Sequence, residues 1–346
     1  MQISATPYWW EDCPRHSSEA SDLPNEIDVA VIGAGYTGLC AALVLARGGA
    51  SVTVFDAGTL GDCASTLNGG MVGPSFHKLG VSGLKHKFGQ TRTNAILKES
   101  VGFVDYLENF LSTERIEADF VRTGRFRGAV KPSHHDAMAR ELEILKESID
   151  IEGRMIDKSD QSQETGSPVF HGGVVYDRDG RLHPAKYHDG LVQRARQAGV
   201  TIAPNTPVTA LEKSGPGYTV HTARGNFRST HVAICTNGYT SAVTSDLRRR
   251  VLPLRSAMIA TEPLDPDLMK RLMPKGRVYT DSRRLVAYYR PSPDGSRILF
   301  GGRASGLSDN PTANARNLRA AMIEIFPQLS DIGLSHTWSG LVAYTF

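Results

Sequence analysis

Hydrophobic residues are grouped along the chain in patterns that change period several times. From Ile27 to Ile32 the residues are mostly apolar and β-branched, as in a strand buried on both faces of a parallel sheet. Gly33-Ala34-Gly35-Tyr36-Thr37-Gly38 follows directly, and Leu39 to Gly48 is an Ala- and Leu-rich helical stretch closed by Gly48-Gly49. Ser51 to Asp56 repeats the buried-strand pattern and ends in an acid. Helical period returns over 95–111, with Ile96, Val101, Val104, Leu107 and Phe110 near one face, and again over 134–149. Alternation between them predicts a strand within Phe120–Val130. Later segments predict a helix over Pro184–Ala198, a strand over Val200–Ala203, and a hairpin of Tyr218–His221 and Phe227–Ser229 around Arg224-Gly225. A buried strand follows over His231–Thr236, then strands at Met258–Thr261, Val286–Tyr289 and Ile298–Phe300, and a helix over Ala313–Ile325. Residues 1–25 are polar, with Pro7, Pro14 and Pro24, and read as an arm that Tyr8-Trp9-Trp10 pins to the body.

Strand, glycine loop, helix and second strand ending in an acid form the context that gives a GxGxxG pattern meaning. Gly33 permits the tight turn, Gly35 lets the backbone approach a pyrophosphate, and Gly38 allows helix and strand to pack closely. The phosphates then meet free N–H groups at the helix N-terminus, where the macrodipole also favours negative charge. Ala34, Tyr36 and Thr37 complete this cradle. Asp56, with Ala57 beside it, accepts hydrogen bonds from the ribose hydroxyls, and its charge disfavours a 2′-phosphate. These elements suit NAD and FAD equally. The small-residue loop Gly61–Val72, containing Ser65, Asn68, Gly69, Gly70 and Met71, can wrap the pyrophosphate again and lead toward a flavin ring, which favours FAD.

With those residues the chain resembles the FAD-dependent amine and amino-acid oxidoreductases of the D-amino-acid oxidase (DAO) superfamily, and within it the γ-glutamylputrescine oxidase branch, relatives of sarcosine and glycine oxidases. The matching stretches are the aromatic arm, Val31–Leu39, Cys63–Met71, Asp179–Ala185, Cys235–Tyr239, Tyr288–Pro291 with Arg297–Gly302, and Thr337–Gly340, in that order. The resemblance implies an α/β fold of GR2/DAO type: a Rossmann-like FAD domain (26–75, 165–243 and 334–346) and a substrate domain of mixed sheet and helices (76–164 and 244–333). It further implies that Val208 brackets adenine, that Thr236, Asn237 and Gly238 pass near the pyrophosphate, and that Asn68–Met71 lie along the ribityl chain and ring. The family's covalent flavin attachment uses a late cysteine. None follows Cys235, so non-covalent FAD is expected.

Two departures stand out. Leu67 and Met71 replace an arginine and a glutamine common in the family's glycine-rich loop. The family's final strand, Gly-rich loop and helix follow its Trp-Ser-Gly segment, whereas this sequence stops at Tyr344-Thr345-Phe346, so a C-terminally truncated version of the fold is expected. The implied reaction is oxidation of a C–N bond in an aliphatic amine or an N-substituted amino acid. It proceeds by hydride transfer to flavin N5, imine hydrolysis and reoxidation by O2 or another acceptor. Such chemistry asks mainly for orientation and desolvation. Candidates for that work are Tyr289, Arg290, Trp338 and His77, with Arg290 or Arg303, whichever faces the flavin, as a carboxylate clamp and His183 as either a site or a structural histidine.

Composition adjusts this reading little. A chain of 346 residues with 40% hydrophobic and 22% charged residues fits a two-domain globular protein. A net charge of +3, with basic residues spread out, gives no footprint for nucleic acid. The four cysteines show no metal-ligand spacing, so no metal and a reducing, cytoplasmic compartment are expected, and no run is long and apolar enough for a membrane span. The competing readings are an inactive, truncated flavin-fold protein and an NAD-dependent dehydrogenase.

Overall fold

The computed structural model describes residues 3–15, 22–74, 79–304 and 309–345. A six-stranded sheet runs in the order Val208–Ser214, Gly217–Thr222, Gly225–Ile234, Glu26–Ile32, Val52–Phe55 and Thr201–Ala203. Its centre is parallel, with Val29 to Ile32 paired to both flanking strands. Successive residues from Val29 to Ile32 face opposite sides, so one strand feeds two cores. Val29 and Val31 pack with Leu39, Ala42, Leu191 and Ala195 of helices Tyr36–Arg47 and Pro184–Gln197. Ile27 and Ala30 pack with Phe55, Val220 and Phe227 on the far side. This two-sided burial explains the uninterrupted apolar run.

A mixed sheet of eight strands forms the second layer, in the order Leu334–Thr345, Val251–Thr261, Ile298–Arg303, Tyr288–Pro291, Val278–Asp281, Arg125–Gly128, Gly173–Tyr176 and Gly153–Ile156. Helix Pro311–Ile325 packs Leu318, Met322 and Ile325 into its core. Across three neighbouring strands of this core, Tyr279, Tyr289 and Phe300 are in register and stack, with centroids 5.2 and 5.5 Å apart. A small antiparallel sheet of Met71–Val72, Gly180–Arg181 and Val121–Arg122 ties the glycine-rich loop to the second layer.

Several sequence expectations change here. The hairpin arm Phe227–Ser229 and the strand His231–Thr236 are one continuous strand, Gly225–Ile234. The helix expected over 95–111 extends over Gly80–Glu114 with a break at Gly89, whose φ of 75° leaves the helical region. Its early part carries only the short stripe Val81, Leu84 and Phe88 among Gly80, Gly83 and Gly89, so periodicity missed it. Of the segment 334–346, assigned with the dinucleotide half, Leu334–Thr345 pairs along Val251–Thr261 in the eight-stranded sheet, and Gly173–Tyr176 also belongs there.

The hydroxyl of Tyr289 is buried in this aromatic stack and has no hydrogen-bond partner among the described residues. Leaving a buried polar group unpaired costs about 1–3 kcal/mol. Tyr289→Phe should therefore leave unfolding stability unchanged or raise it by about 1 kcal/mol in urea denaturation. A loss of more than about 1 kcal/mol would contradict the placement.

Candidate functional site

The glycine turn joins Glu26–Ile32 to helix Tyr36–Arg47. Gly33 has φ of 106°, and a Cβ there would stand 2.6 Å from the Cys235 carbonyl oxygen. A Cβ on Gly38 would fall 1.9 Å from the Gly33 carbonyl oxygen. Both positions therefore demand glycine, for backbone conformation at the first and for close approach at both. Ala34 is held from both ends: its N–H donates to Asp56 Oδ2 at 2.7 Å, and its carbonyl accepts from His188 Nε2 at 2.7 Å. Burial keeps the His188 pKa below its ordinary value, so the neutral ring carries its proton on Nε2. Gly35 caps the helix without a side chain, and Ser65 Oγ accepts from the Tyr36 N–H at 3.0 Å. The turn is thus a cradle that fits a pyrophosphate: backbone N–H groups at a helix N-terminus, with no Cβ filling it.

Asp56 closes one end of the turn. Its second oxygen accepts from Gly58 N–H at 3.0 Å, and the Asp56 carbonyl accepts from Thr206 N–H at 2.7 Å. That bond brings Asn205–Val208 alongside Asp56 and Ala57. At the other flank, strand Gly225–Ile234 runs into Thr236-Asn237-Gly238, where Asn237 takes a left-handed φ of 45°. The Asn237 side chain accepts from Ala343 N–H at 2.9 Å, which ties this turn to the last strand.

The second loop, Leu67 to Met71, is fixed mainly through its carbonyls. Trp338 Nε1 donates to Leu67 O at 3.0 Å and Trp9 Nε1 donates to Asn68 O at 2.9 Å. Arg290 donates through one terminal nitrogen to Gly69 O at 3.4 Å, Gly70 O at 3.2 Å and Leu182 O at 2.7 Å. Gly70, with φ of 65°, donates its own N–H to Asn68 Oδ1 at 2.8 Å. Leu67 itself lies against Gly340, where a Cβ would come within 3.1 Å.

Between this loop and the eight-stranded sheet lies a cavity of about 290 Å³ lined by Leu67, Asn68, Gly69, Met71, Ser256, Tyr288 and Gly340–Val342, with Ala64 at its rim. Its side-chain surface is aliphatic, thioether, amide and hydroxyl. Ser256 Oγ donates to Gly302 O at 3.1 Å and stands 2.6 Å from Tyr288 Oη. With the serine hydrogen spent on Gly302, Tyr288 donates to Ser256 and its remaining lone pair is left to accept. Gly301 makes room for the Tyr288 ring, since a Cβ there would be 2.1 Å away.

The structure redistributes the expected catalytic residues. Tyr289 faces the apolar core; strand alternation instead turns Tyr288 and Arg290 to the loop side. Arg290 is fully buried and engaged with backbone carbonyls, so it holds the loop and is not a carboxylate clamp. Burial and nearby Arg181 push its pKa well below the usual arginine value. Arg303 is exposed. Trp338 stands behind the loop, and His77 lies outside the described residues. Tyr288, Ser256 and His188 escaped the sequence reading; the period-two rule applied from Arg290 would have pointed to Tyr288.

Comparison with known proteins agrees with this geometry. The family model described as "DAO: FAD dependent oxidoreductase" matches residues 28–345. A "Probable oxidoreductase OrdL" of Rhizobium meliloti (strain 1021) is 31% identical over 325 residues, which cover 92% of this chain and 73% of the relative. The "Gamma-glutamylputrescine oxidoreductase" of Escherichia coli (strain K12) is 27% identical, over 90% of this chain and 73% of its own length. Among solved structures, glycine oxidase from Geobacillus kaustophilus superposes with a TM-score of 0.75 at 19% identity, covering 93% of this chain and 84% of that one. That likeness concerns the fold.

His183, which caps helix Pro184–Gln197, gives the site a measurable pH signature. Its Nδ1 accepts from Lys186 N–H at 3.2 Å, and burial, then Lys186, lowers its pKa to about 4. A histidine kept neutral in the fold stabilises above its unfolded pKa of about 6.5, and that contribution is lost as pH falls toward 4. His183→Asn preserves a capping acceptor and should flatten the stability loss between pH 6.5 and 4 by up to about 3 kcal/mol. Denaturation curves of equal pH slope for both proteins would contradict this.

Proposed function

The chain belongs to the DAO family of FAD-dependent oxidoreductases, and from that premise we propose that it oxidises a C–N bond of an aliphatic amine. FAD is the cofactor, and when bound it supplies the two-electron acceptor for the reaction. We assign the pyrophosphate to the Gly33–Gly38 turn, the adenosine ribose to Asp56 and Ala57, and adenine to the neighbourhood of Val208. Ser65 and Thr236–Gly238 flank the pyrophosphate, and Asn68–Met71 border the ring. Asp56 supports the ribose assignment because it already sits 2.7 Å from the turn's Ala34 N–H.

The cavity beside Gly69 carries the substrate assignment. Leu67, Met71 and Leu341 give it an aliphatic and thioether lining, and desolvation against that surface favours the neutral amine over the ammonium ion. The lone pair of Tyr288 Oη is placed to accept an amine N–H and so orient the nitrogen. Among the described residues lining this cavity no side chain is cationic, and Arg255 is turned to Ser339 and Asp309. That favours an amine over an amino acid whose carboxylate would need a partner beside the reacting carbon. The likeness to the relative named as a γ-glutamylputrescine oxidoreductase points the same way.

Purified protein loaded with FAD should show flavin bands near about 370 and 450 nm, and anaerobic addition of a suitable primary or secondary aliphatic amine should bleach the second. A flavin-loaded protein that amino acids bleach and simple or N-acylated diamines do not would contradict the amine assignment.

A further inference from the structure

We propose that the N-terminal arm is a working part of the flavin site, with Trp9 a positioning residue that, together with Arg290 and Trp338, fixes the backbone of Leu67–Gly70 beside the ring. The proposal rests on the assignment of Asn68–Met71 to the border of the flavin ring. Four successive carbonyls, of Leu67, Asn68, Gly69 and Gly70, are met by donors from three segments remote in sequence. A stretch containing two adjacent glycines has little conformational preference of its own, so its geometry must be imposed from outside. Trp9 imposes it twice. Its indole N–H takes the Asn68 carbonyl, and its ring lies 5.2 Å from the Arg290 guanidinium carbon. The cation–π contact supports a buried cation whose other neighbours are carbonyl dipoles.

The arm is latched on both sides of the cavity. Ser4 N–H donates to Ser335 O and Ser4 O accepts from Thr337 N–H, both at 2.9 Å, while Glu11 meets His336 Nε2 at 3.1 Å. Those contacts lie on strand Leu334–Thr345, whose Gly340–Val342 segment lines the cavity. Toward the loop, Trp10 Nε1 donates to Thr66 Oγ1 at 3.4 Å. The fully buried Trp9 indole N–H needs an acceptor, and the acceptor it finds is the loop carbonyl of Asn68.

The test separates volume from the hydrogen bond. Trp9→Phe keeps an aromatic ring and removes the donor; benzothienylalanine at the same position does so at nearly unchanged volume, should Trp9→Phe fold poorly. In the apoprotein, amide hydrogen exchange over residues 67–71 should accelerate about tenfold while the melting transition stays cooperative. The FAD dissociation constant should rise about tenfold, and the bound flavin's absorption fine structure should change. Tyr8→Phe, in the same arm, should leave both measurements as in the wild type. Unchanged exchange and unchanged FAD affinity in the Trp9 variants would overturn the proposal. Wild-type protein that takes up no FAD would instead overturn the cofactor assignment, and the exchange measurement, made without FAD, would still decide whether Trp9 holds the loop.

Discussion

A loop brought into the protein interior must find donors for its carbonyls, and the Leu67–Gly70 segment meets this demand entirely from outside itself. Each buried carbonyl left unpaired would cost about 1–3 kcal/mol, so the two indoles and the guanidinium that reach it decide whether the loop can lie there at all. The eight-stranded sheet supplies Arg290 and Trp338, the arm supplies Trp9, and the backbone of Leu182 donates to Gly70 O at 2.8 Å. These contacts also join the layers. The same residues that hold the loop connect the sheet forming the cavity floor to the helix Pro184–Gln197, which packs on the dinucleotide sheet.

At the other end of the site the constraint is steric. Gly33 and Gly38 are compelled by distances of 2.6 and 1.9 Å to carbonyl oxygens, and Ala34 is fixed between Asp56 and His188. Asp56 therefore has a structural role of its own, shaping the turn through a backbone N–H. A preorganised turn of this kind binds phosphate without first ordering its own backbone.

Much of the fold was legible because its signals are local. Val29–Ile32 and Val52–Phe55 read as buried parallel strands because both faces are covered, and the GxGxxG turn is local by nature. The Thr222–Gly225 hairpin was visible for the same reason. What the sequence concealed was direction. Tyr288, Tyr289 and Arg290 are adjacent letters, and their pleat decides which meets the cavity, which the aromatic core and which the loop carbonyls. Arginine near a flavin-type loop suggested a substrate clamp because charge usually seeks charge; here the guanidinium is taken up by peptide dipoles and an indole face. His188 was hidden in an ordinary amphipathic helix, and its partner, the Ala34 carbonyl, lies 154 positions away in sequence.

The central claim is that indole N–H groups hold the loop against which the flavin ring lies, and the indoles themselves can report on it. The chain has three tryptophans, so an indole nitrogen–proton spectrum should show three signals. In the FAD-loaded protein the Trp9 and Trp338 protons should exchange with solvent far more slowly than a free indole, and both should shift on titration of the apoprotein with FAD. Indole protons of Trp9 and Trp338 that exchange freely and do not respond to FAD would contradict the account.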